Sequence, residues 1–358
     1  MKGRALIAGF ATRHVAGSAF RAGWEVCAVD HFCDQDLAWY TKDRKKFEEL
    51  EELPDAIDTM CREYRFDWVI PTSGAEDFNF PVPVCGTPKE KIGKFLDKLD
   101  IQHFFEENNI PVPRIVPQDH YPHMLKPRKG AGGWRNARIH NDDENAAWEN
   151  LFPDTPAIRQ EFVEGIPASV CCVADGSRAR ALAANEQILH GDGATTFGFC
   201  GSLTPFVHPL RDRMIAMAER VAAASGCTGT VGIDFVVGDN SLHAIEINPR
   251  FQGTVDTVEA ATGISIFDVH VNACRGVLPE SVHEPQQVAA RSILFADSDF
   301  TLREDLSPLA PVVADIPWPG TEFEKDQAIV SVYGRGADRA GALAALDKHI
   351  STVRQYMR

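Results

Sequence analysis

At 358 residues and 44% hydrophobic content, the chain can bury cores for about two or three small domains. A formal net charge of -15 with no basic cluster argues against nucleic acid as a partner, because a phosphate backbone demands patches of Lys and Arg. Nine cysteines without a CxxC pair and twelve histidines without HExxH spacing exclude a disulfide framework and the common zinc motifs, and read as reduced thiols of a cytoplasmic protein.

The N-terminal apolar run is too short for a signal peptide, and no stretch is long enough to span a bilayer, so no membrane partner is expected. Residues 4–9 form a buried-strand run ending in glycine, followed by a helix-like segment at 12–22. WEVCAVD, residues 24–30, is a second strand ending in an acid. A helix at 55–64 and a strand at 68–71 continue the rhythm, which means a small parallel doubly wound unit. Gly9 and Asp30 invite a dinucleotide reading, but GFATRHVAG lacks GxGxxG spacing, and a Rossmann-like scaffold without NAD is the better reading. Thr12, Ser73 and Glu76 sit at loop tips, where open α/β sheets bind ligands.

Residues 88–109 are a charged helical region with Leu96, Leu99, His103 and Phe104 as its buried stripe and Lys98 near the unit boundary. In HMLKPRKGAGGWRNARI a strand ends at Lys126, a glycine-rich loop covers 128–134, and a strand resumes at 137–139. Gly130, Gly132 and Gly133 let backbone N–H groups approach phosphate oxygens, while Lys126, Arg128 and Lys129 add positive charge. An ordinary flexible loop would not need that combination. Strands are expected at 157–163, 168–174 and 180–186, and 190–205 (HGDGATTFGFCGSLTP) suits a mobile loop or lid. Residues 211–225 read as an amphipathic helix with Ile215, Ala218, Val221 and Ala222 on one face.

The chain then reaches VGIDFVVGDNSLHAIEINPRFQG, residues 231–253. Two apolar runs flank a Gly-Asp-Asn-Ser turn, the signature of a β-hairpin. Glu246 and Asn248, two apart, point the same way, and Asp234 can reach that face from the partner strand. Three oxygen ligands on a rigid hairpin suit Mg²⁺, and Arg250 extends the same side with a fork for phosphate. A merely solvated face would account for one acid, but not for acids embedded in both apolar runs. Helices at 256–263 and 266–274 follow, then strands in AARSILFAD, DIPWPGTEF and AIVSVYG, and a last helix at 338–356.

Together these motifs resemble the ATP-grasp superfamily of ATP-dependent carboxylate–amine ligases over nearly the whole chain. The resemblance implies an α/β (α+β) ATP-grasp fold: a Rossmann-like pre-ATP-grasp domain at 1–87, a small lid subdomain with the glycine-rich loop at 88–165, and a C-terminal subdomain with the metal site and a small β tail at 166–358. It implies ATP and Mg²⁺ (or Mn²⁺) as cofactors, with Lys98 and Lys126 as the phosphate-contacting lysines. Gln160, Glu161, Phe162 and Val163 match the linker that grips adenine, with main-chain groups of Glu161 and Val163 reading its edge. Pro167 stands where the family often has a ribose-binding glutamate, and Glu164 is the substitute. Asp234, Glu246 and Asn248 match the metal ligands, and Arg250 matches the arginine that follows them. ARSILFAD and the C-terminal tail look like archaeal-type members, which include the tyramine–glutamate ligases.

The reaction so implied phosphorylates a small-molecule carboxylate with ATP, and an amine then displaces phosphate. Carboxylase- or kinase-type phosphoryl transfer to another acceptor uses the same ATP site, and a non-catalytic ATP-binding module is the third reading. An amine pocket would be lined by Arg211, His190 or Glu186. A homodimer is the ordinary expectation for assembly.

Overall fold

The computed structural model describes residues 2–191 and 196–357. Its first sheet is all parallel, in the order Asp43–Lys46, Glu25–Asp30, Arg4–Gly9, Trp68–Pro71. Alternation along Arg4–Gly9 sends Ala5 and Ile7 to one core and Leu6 and Ala8 to another. The second of these faces is covered by helix Leu53–Glu63. The first is covered by helix Arg13–Arg21 and by Phe267 and Val271 of helix Ile266–Cys274, so one core joins the N-terminal sheet to the distant part of the chain. Asp30, which invited the dinucleotide reading, has another job: its carboxylate accepts from the Thr12 N–H and hydroxyl and from the N–H groups of Phe32 and Cys33.

A three-stranded antiparallel sheet follows, in the order Ala137–Ile139, His123–Pro127, Ala157–Glu161, with helix Asp142–Leu151 packed against it. The rest is built on an eight-stranded antiparallel sheet. Its order is Leu242–Asn248, Thr228–Val237, Ile166–Asp175, Ala179–Leu189, Phe199–Thr204, Val288–Phe295, Ala328–Gly336, Val313–Ala314. Val170 and Cys172 of Ile166–Asp175 face helix Arg211–Ser225, while Cys171 and Val173 face Ile266–Cys274. Among the described residues, no helix is long and apolar enough to cross a membrane.

Four expectations need correction. The 88–109 region breaks at Asp97, whose side chain caps helix Lys98–Glu107; Ile101, Phe104 and Phe105 are its buried face, and His103 is exposed. Helix Arg211–Ser225 buries Met214, Met217, Ala218 and Val221, with Ile215 only partly covered. The 190–205 segment is not a lid throughout: Phe199–Thr204 is an interior strand, and Gly201 lies so close under the Arg291 carbonyl that a Cβ would not fit. Glycine marks tight packing there rather than mobility. Residues 192–195 of that segment lie outside the described residues. DIPWPGTEF contributes only the two-residue strand Glu322–Phe323, because Asp315 is drawn into an ion network and Pro-Gly turns the chain.

That network ties the N-terminal unit to the tail. Arg13, 5% exposed, donates to Asp315 and Asp256 at 2.8 Å each and lies 3.5 Å from Asp36. Arg291 donates to Asp315 at 3.0 Å and to the Gly253 carbonyl at 2.7 Å. Removing one member of a buried ion group strands the others without compensation. Arg13→Met is therefore expected to cost about 3 kcal/mol of stability, read as a lower midpoint in urea denaturation.

Candidate active site

The hairpin brings its acids together by register. Asp234 pairs directly with Glu246 and Gly232 with Asn248, in the strands Thr228–Val237 and Leu242–Asn248. The Asn248 amide N–H donates to Asp234 at 3.2 Å, and its oxygen accepts from Arg250 at 3.0 Å. A further strand, Ala179–Leu189, supplies Gln187, which donates to the other Asp234 oxygen at 3.1 Å. Burial and the neighbouring Glu246 charge push the Asp234 carboxyl up to about 7.

Positive charge arrives from two other elements. Asp97 caps helix Lys98–Glu107 and clasps Arg128 at 2.6 Å, which anchors the start of that helix to the glycine-rich loop. Lys98, first in the helix, lies 3.4 Å from Glu246 and donates to the Gly130 carbonyl at 2.6 Å. Lys126, at the end of its strand, is 7% exposed, and burial draws its ammonium down to about 8 against the pull of Glu246. Two carboxylates side by side, with an amide between them and Arg250, are a hard-oxygen donor set that fits a divalent cation. The Asn248 oxygen faces Arg250, and a half-turn of the amide would face it to the acids.

Arg250 is held on three sides. It donates to Asn248, to the Phe251 carbonyl at 3.3 Å, and to Glu76 at 2.6 Å. The other Glu76 oxygen accepts the Gly74 N–H at 2.6 Å. A loop tip of the parallel sheet is thus bolted to the hairpin, and the pair is almost closed to solvent, at 14% and 11% side-chain exposure. Glu76 and Ser73 line the cleft as the sequence suggested, whereas Thr12 is buried against Asp30.

The cleft has a volume of about 270 Å³ and gathers Lys98, Gly130, Glu246, Asn248 and Arg250 with Phe10, Leu50, Phe95 and Leu96. Lys126 and Asp234 lie against it through Glu246. Gly132 and Gly133 adopt φ of 76° and 74°, and Gly133 backs onto the Phe197 carbonyl where a side chain would collide. Both sit beside the cleft rather than in its lining.

The linker residues 160–164 do not line this cleft. Gln160 turns inward to donate to Gln102 at 2.6 Å. One Glu161 carboxylate oxygen accepts from Nε and Nη2 of Arg114 at 2.9 and 2.7 Å, and the Glu161 backbone N–H donates to the Arg114 carbonyl, so that N–H is committed. Val163 keeps its main-chain N–H and carbonyl without a partner among the described residues. Phe162 lies under the Arg138 guanidinium at 4.0 Å, and Glu164 is exposed, 3.8 Å from Arg138. The proposed amine-pocket residues are elsewhere: Arg211 pairs with Glu284, Glu186 with Arg339, and His190 packs near Trp134 and Phe295. Gln187 was missed; its one signal is an amide inside the apolar run ALAANEQIL. Phe10 and Leu50 carried none.

Residues 95–254 match the ATP-grasp domain family. An uncharacterized protein of Methanocaldococcus jannaschii is 24% identical over 93% of this chain and 88% of its own length. The carbamoyl phosphate synthase large chain of Renibacterium salmoninarum is 26% identical, and this chain spans only 34% of it. Among solved structures, the biotin carboxylase domain dimer of Hydrogenobacter thermophilus 2-oxoglutarate carboxylase, in complex with MgADP and bicarbonate, superposes with a TM-score of 0.79 at 14% identity, covering 98% of this chain and 89% of that one. The L-amino acid ligase of Bacillus licheniformis gives 0.73 at 15% identity, over 97% of each chain. The antiparallel sheet with its acid-bearing hairpin, the glycine-rich loop and the matched segment agree: the chain carries an ATP-grasp domain and has the ATP-grasp fold.

Proposed function

We propose that the chain is an ATP-dependent ligase that joins a small-molecule carboxylate to an amine through an acyl phosphate, releasing ADP and phosphate. The observation that carries this reading is the convergence of Asp234, Glu246, Asn248, Lys98, Lys126 and Arg250 on one cleft. The likeness to an L-amino acid ligase supports an amine acceptor. The likeness to a carboxylase bound to MgADP and bicarbonate favours a second reading, carboxylation, on the same ATP site.

In the proposed reaction a carboxylate oxygen attacks the γ-phosphorus as its bond to the β–γ bridging oxygen breaks, so ADP leaves. The amine nitrogen then attacks the acyl carbon, the bond to phosphate breaks, and the nitrogen releases its proton to water. Such a sequence asks the protein mainly to position groups and neutralise charge. Asp234, Glu246 and Asn248 would hold Mg²⁺ or Mn²⁺, which supplies charge neutralisation across the phosphates. Lys98 and Lys126 meet phosphate oxygens, and the backbone of residues 130–133 closes over them. Arg250, oriented by Glu76, faces the transferring phosphoryl group. Val163 offers free main-chain groups to the adenine edge, with Gln160, Glu161 and Phe162 as its support and Glu164 at the ribose. We read residues 1–87, 88–165 and 166–358 as the three working units. Nine free thiols fit a reducing compartment, so we place the enzyme in the cytoplasm, and the dimeric carboxylase domain favours a homodimer.

In calorimetry, Mg²⁺ is expected to tighten ATP binding about tenfold or more, and Asp234→Asn or Glu246→Gln to remove that gain. No effect of Mg²⁺ on nucleotide affinity would sink the reading. Arg250→Ala is expected to cut turnover about 100-fold with ATP affinity little changed. Glu76→Gln, which keeps one of the two acceptor oxygens and loses the charge, should lower kcat less than Glu76→Ala and leave KM for ATP alone. Hydroxylamine trapping with a panel of amino acids separates the two reactions: hydroxamate marks an activated carboxylate, whereas ADP release that requires bicarbonate and yields no hydroxamate supports carboxylation.

A further inference from the structure

A second, larger cavity of about 490 Å³ lies where three parts of the chain meet. Helix Arg13–Arg21 and the turn Leu37–Tyr40 form one wall, helix Val255–Thr262 another, and the strand ends at 313–314 and 333–335 the third. It shares no lining residue with the cleft at Arg250. Its size and its place at a junction of units are those of a small-molecule site.

The acids of its wall are already spent. Asp256 accepts from Arg13 at 2.8 Å and from the Tyr333 hydroxyl at 2.7 Å. Asp36 accepts the N–H groups of Asp315 and Ile316 at 3.0 and 2.9 Å. Glu259 accepts from Arg21 at 2.6 Å and from the Ile266 N–H at 2.9 Å. The lining holds three acids (Asp36, Asp256, Glu259) and three arginines (Arg13, Arg21, Arg335), so no net charge repels an anion.

What stays unpartnered among the described residues is a set of donors. The Arg335 guanidinium is exposed and makes no ion pair or side-chain hydrogen bond there, and neither the Trp39 indole N–H nor the Tyr40 hydroxyl has an acceptor. Trp39 is 45% exposed, with the Tyr40 ring 6.4 Å away and edge-on to it. A free planar cation and a partly open aromatic face lining one cavity select an oxyanion carried on a ring: the fork of arginine grips carboxylate or phosphate through two bonds, and tryptophan stacks on the ring. The floor is stiff, because Arg13 is pinned by Asp315, Asp256 and Tyr333.

We propose that this cavity binds a small aromatic or heteroaromatic acid, its carboxylate or phosphate held by Arg335 and its ring by Trp39. The site stands apart from the nucleotide cleft and does not rest on the ligase reading. The test is calorimetry on the full chain with phenyl phosphate and phenylacetate as probes and inorganic phosphate as the ring-free control. Saturable binding of at least one probe is expected, weakened about tenfold or more by Arg335→Ala and by Trp39→Ala and unchanged by added ATP. Because both side chains are exposed, the variants are expected to keep the parent thermal midpoint. Whichever probe binds identifies carboxylate or phosphate as the anion. Absence of saturable binding at millimolar probe, affinity unchanged in Arg335→Ala, equal binding of inorganic phosphate, or displacement by ATP would each overturn the proposal.

Discussion

Two like charges facing each other across a hairpin govern this structure. Asp234 and Glu246 are direct cross-strand partners, a placement that costs stability when both are ionised. Every polar neighbour answers that cost. Gln187 and Asn248 donate to Asp234, Lys98 lies against Glu246, and the Glu246 charge helps keep buried Lys126 protonated. The site is therefore a balance of charges within a confined volume, in which burial and the Glu246 charge raise the Asp234 carboxyl.

The hairpin cannot make that site alone. The parallel sheet sends in Glu76, which fixes Arg250 and reaches across 174 positions of sequence to do so. Helix Lys98–Glu107 sends in its first residue, and Asp97 holds both that helix and Arg128 of the loop. The small antiparallel sheet contributes Lys126 from its central strand. Lys98 and Lys126 sit at the ends of regular elements and Glu76 on a loop tied back by its own bond to Gly74, so the surrounding framework sets the geometry of the cleft.

The same assembly creates the second cavity. Helix Arg13–Arg21 packs on one core with helix Ile266–Cys274, while its polar end enters the ion network of Asp256 and Asp315. One helix thus joins the N-terminal unit to the eight-stranded sheet and to the tail. The two cavities lie against different parts of this junction, one at the loop tips of the parallel sheet and one beyond helix Val255–Thr262.

The hairpin, the meeting of Asp234, Glu246 and Asn248 on it, the lysine before the glycine loop, the doubly wound N-terminal unit and several helices were legible from residues alone. Each rests on a local period: alternate residues share a strand face, and every third or fourth shares a helix face. Where the local signal had two causes, reading failed. Gly198 and Gly201 suggest mobility but answer close packing, against the Trp134 ring and the neighbouring strand at Arg291, and Gln160, on a linker strand, turns inward to Gln102. The partners that complete the site, Glu76 for Arg250 and Gln187 for Asp234, come from a loop of one sheet and a strand of another, brought together by packing. No spacing in one dimension encodes which strand ends will meet. Tertiary packing decided that, because only burial of the shared cores determines which polar side chains are left facing the same cleft.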